Sequence, residues 1–272
     1  MPNIKFAFFG TPEIAVDTLD ILKNSGFTPS VIITARDMPR GRKLTITPPP
    51  VKVWAENNNI PVFQPDKLDQ DFALQLSTFN LELSVVVAYG KIFPEWLINT
   101  PKLGTLNIHY SLLPKYRGAS PVQSAILNGD KITGVTIQQM QNKLDAGPII
   151  AQEEVVIDPN EKTPELLKKL TEIGGELLVK TLPDYLAGKT MPRKQDDNQA
   201  TLCKKIRKED GLIDLNGNSI NNYNKFRAFF EWPRSYFFRD KKRIIITDAK
   251  LENGILVIKK ILPEGKKEIS WR

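Results

Sequence analysis

Short apolar segments that alternate with helix-like segments constrain the fold of this chain most. "IKFAFFG", "SVIITA" and "LSVVVAYG" are almost continuously apolar, and "TLNIHYS" follows them as a further strand-like segment. Continuous apolar strands are typical of a parallel sheet that is covered on both faces by helices. We therefore expect an α/β fold, Rossmann-like, with a mostly parallel sheet.

The helix after the first strand has recognisable end signals. Thr11 is a suitable N-cap, Pro12 suits the first helical position, and Gly26 favours termination. The spacing predicts one apolar face that carries Ala15, Leu19 and Leu22. Further helices are expected at "PVKVWAENNN", from Ser120 to near Gly129, and from Thr163 onward.

The chain changes character after Gly188. Residues 189–206 are polar and charged, which is typical of a linker, and residues 207–272 contain short strands separated by turn residues. We therefore predict a first domain at 1–188, a linker at 189–206 and a small β-rich domain at 207–272.

Composition excludes several classes of function. Cys203 is the single cysteine and His109 the single histidine, so an internal disulfide and a Cys- or His-based metal centre are not expected. The N-terminal segment has no small-residue cleavage site, and no apolar stretch reaches the roughly 18 residues of a membrane span. We expect a cytoplasmic protein without a membrane partner. The net charge of +7 fits a solvated basic surface or an anionic partner.

The end of "TLNIH" carries the best candidates for chemistry. Open α/β sheets bind ligands at the carboxyl ends of their strands. Asn107 and His109 are two residues apart in a strand and therefore face the same side. The N–H of an amide can donate a hydrogen bond to a developing oxyanion, and an imidazole can donate a hydrogen bond or transfer a proton. The alternative is a histidine without a catalytic role, which lies on the surface or has its nitrogen atoms in ordinary hydrogen bonds.

A carboxylate usually orients such an imidazole. Asp145 lies in "NKLDAGPII", between two predicted strands, but spacing alone does not favour it over Asp130. The "DAGP" segment is also a good turn, so a purely structural Asp145 is an alternative. Gly10, which ends the first strand, is not part of a GxGxxG fingerprint.

Two segments resemble the signatures of the folate-dependent formyltransferases. They are "LNIHYSLLPKYRGASPVQSAI" and "TGVTIQQMQNKLDAGPII". Within that superfamily, "FFGTPEIAVDTLDIL", "RGRKLTITPPPVKVWAE", "VVVAYGKIFP" and "FRAFFEWPRSYF" resemble the methionyl-tRNA formyltransferase family in the same order. Tyr110 departs from that family, which usually has glycine after the histidine.

The resemblance implies a role for each matched residue. Asn107, His109 and Asp145 would be catalytic. The folate loop would be formed by Ser111, Leu112, Leu113 and Pro114, and Tyr89 and Gly90 would lie near the pterin. The co-substrate would be 10-formyltetrahydrofolate, the acceptor would be the α-amine of initiator methionyl-tRNA, and no metal would be needed. A monomer is expected.

The resemblance also implies an OB-like barrel at the C-terminus. Residues 207–272 are fewer than the family usually has there, and one hairpin between "TDAKL" and "NGILVI" is expected to be missing. We therefore expect an OB-like domain that is truncated.

Residues 35–50 form a basic segment that is rich in proline and is expected to be a long exposed loop. Its basic residues, opposed by Asp37 alone, are Arg36, Arg40, Arg42 and Lys43. The resemblance implies that they contact the acceptor end of the tRNA, with Lys204, Lys205 and Arg207 on more distal backbone. A solubilising loop is the alternative.

Two other functions remain open from the sequence. A formyltransferase that acts on an amino-sugar nucleotide or on glycinamide ribonucleotide would keep Asn107, His109 and Asp145. A non-catalytic RNA-binding module would use the C-terminal domain and would not need those three residues.

Overall fold

The computed structural model describes residues 4–41 and 43–271; the side chain of Arg40 is not part of that description. The chain forms two compact units, each assembled from three stretches of sequence. The first unit contains Met1–His109, Val135–Glu153 and Thr171–Gln199, and the second contains Tyr110–Gly134, Glu154–Leu170 and Ala200–Arg272.

A seven-stranded sheet is the largest element of the fold. Its strands are β1 (Phe6–Gly10), β2 (Val31–Ile33), β5 (Val62–Phe63), β6 (Leu83–Val87), β7 (Thr105–His109), β9 (Ile132–Gln139) and β10 (Ile149–Val156). The order across the sheet is β10-β9-β7-β6-β1-β2-β5. The five strands from β5 to β7 are parallel, and β9 is antiparallel to β7. The predicted α/β fold with a mostly parallel sheet is confirmed.

Seven α-helices accompany the strands in the described part of the chain. They are α1 (Glu13–Asn24), α2 (Pro50–Asn57), α3 (Gln70–Ser77), α4 (Glu95–Asn99), α5 (Pro121–Leu127), α6 (Thr163–Leu186) and α7 (Ser219–Ala228). α2, α5 and α6 lie where the sequence predicted helices. None of these helices is both long and apolar enough to cross a membrane.

The first helix has the predicted buried face but not the predicted cap. Ala15, Leu19 and Leu22 are fully buried. The N-cap is Pro12, so the prediction of Thr11 at that position was wrong. The Thr11 hydroxyl instead donates to the carbonyl of Tyr89 and accepts from the backbone N–H of Ala35, each at 3.4 Å. Thr11 thus joins the carboxyl ends of three neighbouring strands.

The basic segment at residues 35–50 is largely exposed, as predicted, but it contains a short hairpin where no strand was expected. Strands β3 (Met38–Arg40) and β4 (Thr45–Thr47) pair in antiparallel register. Gly41 has a φ of 69° and Leu44 a φ of 50°, and the N–H of Leu44 donates to the carbonyl of Gly41 at 3.2 Å. These left-handed conformations close the turn.

The second unit contains an antiparallel β-sheet, as predicted for the C-terminal residues. Its strands are β12 (Tyr236–Arg239), β13 (Lys242–Glu252), β14 (Ile255–Pro263) and β15 (Ile269–Ser270), in that order across the sheet. Within residues 43–271 these four strands do not close on one another, and Leu212 adds a parallel bridge to Tyr236 at the edge formed by β12. Its buried face packs with α7 through Tyr223 and Phe226.

A two-stranded sheet lies in the same unit. It pairs β8 (Arg117–Gly118) with β11 (Leu202–Cys203), which belongs to the segment that the sequence predicted to be a linker. Gly118 has a φ of 126°, and a Cβ atom there would lie 2.1 Å from the carbonyl oxygen of Cys203. The close approach of the two backbones therefore requires glycine at this position.

Candidate active site

Strand β7 brings Asn107 and His109 to the carboxyl end of the parallel part of the sheet. Asn107 is opposite Val86 of β6, and His109 is the last residue of the strand. The side chain of His109 is 6% exposed, and Asn107 is partly exposed. The two-residue spacing places both side chains on one face, as the sequence predicted.

Asp145 lies beside His109. Its Oδ2 atom is 3.8 Å from Nδ1 of the imidazole, and its side chain is 14% exposed. This distance is within ion-pair range but longer than a hydrogen bond. Asp145 has a φ of 47° and belongs to a turn in which the N–H of Ala146 donates to the carbonyl of Lys143 at 3.2 Å. The turn geometry and the contact with His109 therefore coexist.

Asp130, the other candidate carboxylate, belongs to a different network. It accepts a hydrogen bond of 2.7 Å from the Tyr116 hydroxyl, which in turn accepts one of 3.1 Å from the amide of Asn128. Burial, reinforced by the bond to Asp130, raises the pKa of Tyr116 to about 12. Of the two carboxylates that the sequence left open, the contact with His109 is made by Asp145.

Two glutamines that the sequence analysis did not identify hold Asp145. The amide of Gln138 donates to Oδ1 of Asp145 at 2.8 Å. The amide of Gln195 donates to the backbone carbonyls of Asp145 and Gly147, at 2.9 Å and 2.7 Å. Gln138 holds the carboxylate, and Gln195 holds the backbone of the turn.

Gly147 lets this turn approach β9. A Cβ atom at Gly147 would lie 1.8 Å from the carbonyl oxygen of Gln139. The backbone of the turn therefore lies against the end of the strand that carries Gln138. Only a residue without a side chain fits there, which accounts for the glycine two positions after Asp145.

The predicted folate loop follows β7 directly in the chain. The Ser111 hydroxyl donates to the carbonyl of Lys115 at 2.6 Å, and the N–H of Lys115 donates to the carbonyl of Leu112 at 3.0 Å. The carbonyl of Pro114 accepts from the N–H of Thr201 at 3.2 Å. Leu113 is buried, and its peptide bond to Pro114 is cis. Local hydrogen bonds and the segment around Thr201 thus define the shape of this loop.

The other predicted folate residues follow β6. The ring of Tyr89 is buried against Phe9 and Phe93 in edge-to-face contacts, and burial raises the pKa of its hydroxyl to about 12. Gly90 has a φ of 84°. Because the ring of Tyr89 belongs to the core, a ligand at this strand end would meet the backbone here. An open groove of about 500 Å³ follows, lined by Lys67, Leu68, Lys91, Ile92, Phe93, Pro94 and Asn142.

The predicted tRNA-binding residues are exposed where the structure describes them. This holds for Arg36, Lys43, Lys204, Lys205 and Arg207. The side chain of Arg40 and the whole of Arg42 lie outside the described residues.

Asp37, the one acidic residue of the basic segment, binds residues outside that segment. Asp37 accepts hydrogen bonds of 2.8 Å from Lys52 and 2.8 Å from Gln64, and these bonds lower the pKa of its carboxyl group. Arg36 forms an ion pair with Asp66 instead.

The described residues contain no group of three or more His, Cys, Asp or Glu side chains that could hold a metal ion. The polar groups placed with His109 include the carboxylate of Asp145 and, on the same face of the strand, the amide of Asn107. Such groups can donate hydrogen bonds, accept a proton and stabilise charge.

Two family models match the chain. A model described as formyl transferase matches residues 3–182, and a model described as formyl transferase, C-terminal domain, matches residues 205–254. The first match alone covers more than half of the chain and includes both signature segments.

Relatives of known name match over most of the chain. A methionyl-tRNA formyltransferase of Sulfurihydrogenibium sp. (strain YO3AOP1) is 43% identical over 251 residues, which cover 91% of this chain and 80% of the relative. The enzyme of the same name from Staphylococcus aureus (strain MW2) is 40% identical over 248 residues, covering 91% and 79%.

Solved structures share the fold at lower identity. Methionyl-tRNA formyltransferase from Clostridium thermocellum aligns with a TM-score of 0.65 at 15% identity, covering 96% of this chain and 98% of that one. The N-formyltransferase from Helicobacter canadensis, in complex with folinic acid and dTDP-3-aminofucose, gives 0.69 at 22% identity and covers 92% and 88%.

Proposed function

Because the chain belongs to the formyl transferase family, we propose that it transfers the formyl group of 10-formyltetrahydrofolate to the α-amine of initiator methionyl-tRNA. The observation that carries this proposal is the contact of His109 with Asp145 beside Asn107, in a chain 40% or more identical to methionyl-tRNA formyltransferases over nine-tenths of its length. The enzyme would act in the cytoplasm, as a monomer, in translation initiation.

The reaction needs one bond formed, one bond broken and one proton moved. The neutral α-amine attacks the formyl carbon, and negative charge develops on the formyl oxygen. The amide of Asn107 and the protonated ring of His109 donate hydrogen bonds to that oxygen. Collapse of the tetrahedral intermediate breaks the bond between carbon and N10 of the folate.

Asp145 has two roles in this scheme. Its carboxylate stabilises the positive charge on the His109 ring, because the two groups are 3.8 Å apart and largely buried. It also accepts the proton that leaves the amine and relays it toward N10, so that the folate departs neutral. The residues needed are a carboxylate, an imidazole and an amide, and no step requires a metal.

The remaining residues would bind the two substrates. Residues 111–114 and the backbone at Tyr89 and Gly90 would contact the folate. Arg36 and the basic residues of the β3–β4 hairpin (Arg40, Arg42 and Lys43) would contact the acceptor end of the tRNA, and Lys204, Lys205 and Arg207 would contact its backbone. In this scheme residues 1–188 form the catalytic domain, 189–206 the linker and 207–272 an OB-like domain.

Formylation of charged tRNA tests the proposal. Purified protein and 10-formyltetrahydrofolate are incubated with methionylated initiator tRNA, with methionylated elongator tRNA, with an amino-sugar nucleotide or with glycinamide ribonucleotide. We expect formylation of the initiator tRNA at a rate well above the other three. Formylation of a small-molecule acceptor alone would show that the chain is a formyltransferase with a different acceptor. Failure to bind folate in calorimetry would favour the non-catalytic RNA-binding module.

A further inference from the structure

We infer that Gln138 is a positioning residue for Asp145, which rotates one carboxylate oxygen toward His109. This inference rests on the proposed function and deepens it, because it adds a residue to the proposed catalytic group. Gln138 would act through Asp145 and would not touch either substrate.

The register of β7 and β9 brings Gln138 to the site. Gln138 is directly opposite Asn107 in the antiparallel pair, so both side chains project from the same face of the sheet. The next pair on that face joins His109 with Thr136. Gln138 is thus the cross-strand neighbour of one proposed catalytic residue and a hydrogen-bond donor to another.

The two oxygens of Asp145 have different partners. Oδ1 accepts the amide N–H of Gln138 at 2.8 Å, and Oδ2 faces Nδ1 of His109 at 3.8 Å. The final torsion of an aspartate side chain is broad and weakly restrained on its own. A donor held by a sheet strand at Oδ1 restrains that torsion, and Oδ2 is then directed at the imidazole.

The donor is also uncharged, which matters for the proposed chemistry. A lysine or arginine at position 138 would form its own ion pair with Asp145 and would compete with the His109 ring for the negative charge. The amide of glutamine fixes the carboxylate by a hydrogen bond and leaves its charge available to the imidazole. A glutamine at position 138 is therefore better suited to orienting the Asp145 carboxylate than to neutralising its charge.

In the described part of the chain, the side chain of Gln138 combines one hydrogen bond with one buried acceptor atom that has none. Its side chain is 1% exposed, and within the described residues its Oε1 atom has no hydrogen-bond partner. A buried acceptor without a partner lowers stability, and an apolar side chain of the same shape would avoid that penalty. Selection for stability alone would favour an apolar residue, so the contact with Asp145 is the benefit that explains glutamine here.

The turn itself does not depend on Gln138. Gln195 binds the backbone carbonyls of Asp145 and Gly147 independently. Removal of the amide at position 138 should therefore remove one restraint on the Asp145 carboxylate while the backbone of the turn keeps its place. This separation makes a clean experiment possible.

The test is a double-mutant cycle with steady-state and single-turnover rates. The variants are Gln138→Met, Asp145→Asn and the double variant, with Gln139→Met as the matched control on the opposite face of the strand. We expect Gln138→Met to lower kcat by about 10- to 100-fold, because a small misplacement of a catalytic group has that effect. Both KM values should stay close to wild type, and so should the melting temperature, because the lost hydrogen bond to Asp145 offsets the relief of the unbonded Oε1 atom. In the Asp145→Asn background the same change should have no further effect.

Each other result has a definite meaning. Full activity of Asp145→Asn would overturn the proposed function, and the inference with it. An inactive Asp145→Asn together with a fully active Gln138→Met would overturn the inference alone. Equal losses from Gln138→Met in both backgrounds, or a lower melting temperature with unchanged rate per folded molecule, would show a structural role. If Gln138→Met does not fold, Gln138→Leu removes the donor without adding a charge and should show the same loss of kcat.

Discussion

The Nδ1 atom of His109 and the Oδ2 atom of Asp145 are 3.8 Å apart, and both side chains are largely buried. Charges in such a position interact more strongly than at the surface, because water screens them less. A carboxylate at this distance can support a positive charge on the ring without a direct hydrogen bond. The two residues should therefore act as one unit, with Asn107 as the second donor on the same face.

Removal of either donor should affect turnover far more than binding. We expect His109→Ala and Asn107→Ala each to reduce kcat by ~10²–10³, with little change in the KM for folate. Both groups act on charge that is present in the transition state and absent from the bound substrate. Steady-state kinetics with each substrate varied in turn measures the effect. If a variant keeps most of its activity, the residue that it replaces is not catalytic.

Loss of the charge at Asp145 should inactivate the enzyme without unfolding it. Asp145→Asn keeps the shape of the side chain and removes the charge that supports the His109 ring. We expect a severe loss in single-turnover rate and a melting temperature near that of wild type. The alternative, a purely structural turn residue, predicts a lower melting temperature with normal activity per folded molecule. Asp130→Asn serves as the control and should leave the rate much less affected.

The β3–β4 hairpin should govern the use of tRNA and not the use of folate. Replacement of Arg40 and Arg42 by Ala should raise the KM for tRNA. In a plot of the logarithm of tRNA affinity against the logarithm of salt concentration, the slope should become less steep by roughly one unit per lost phosphate contact. Folate affinity should hardly change. Lys180→Ala with Lys189→Ala removes the same charge from another part of the chain and is the matched control. Equal KM values for tRNA in wild type and the hairpin variant at several salt concentrations would show that the hairpin does not bind tRNA and only contributes to solubility.

Gly118 should tolerate no side chain. Gly118→Ala places a Cβ atom 2.1 Å from the carbonyl oxygen of Cys203 at a φ of 126°. We expect a loss of about 1–3 kcal/mol or more in the free energy of unfolding. Gly254→Ala is the control, because Gly254 has a φ of 80° but open space around it, so that only the backbone strain remains. Denaturant unfolding of both variants measures the difference, and equal losses would mean that β8 and β11 separate at little cost.

Local patterns account for the parts of the fold that were predicted. β1, β2 and β6 are fully buried strands, and their continuous apolar runs reflect burial on both faces. The β3–β4 hairpin escaped prediction because Met38 and Ile46 are exposed, so the segment has no pattern of buried residues. α3 was also missed, although Asp69 caps it through the N–H of Phe72 and was a readable signal.

Some residues of the candidate site could likewise be predicted from local sequence, and others could not. The shared face of Asn107 and His109 follows from the period of a strand, which is local information. The choice between Asp145 and Asp130 depends on which turn folds against β7, and no spacing along the chain encodes that. Gln138 required the register of β7 and β9, and Gln195 required a contact 50 residues along the chain from Asp145. The resemblance to a family indicated Asp145 but neither glutamine.

The second compact unit has a consequence for how this enzyme could change by recombination. Thr163 donates to the carbonyl of Ala228, Tyr223 donates to Asn160, and β8 pairs with β11, so residues near the sequence signature and residues of the C-terminal region share one folded body. A crossover between genes at residue 206 would combine the two sides of these contacts from different parents. We therefore expect the C-terminal region to be exchanged among relatives only together with the two earlier stretches, 110–134 and 154–170, that belong to the same unit.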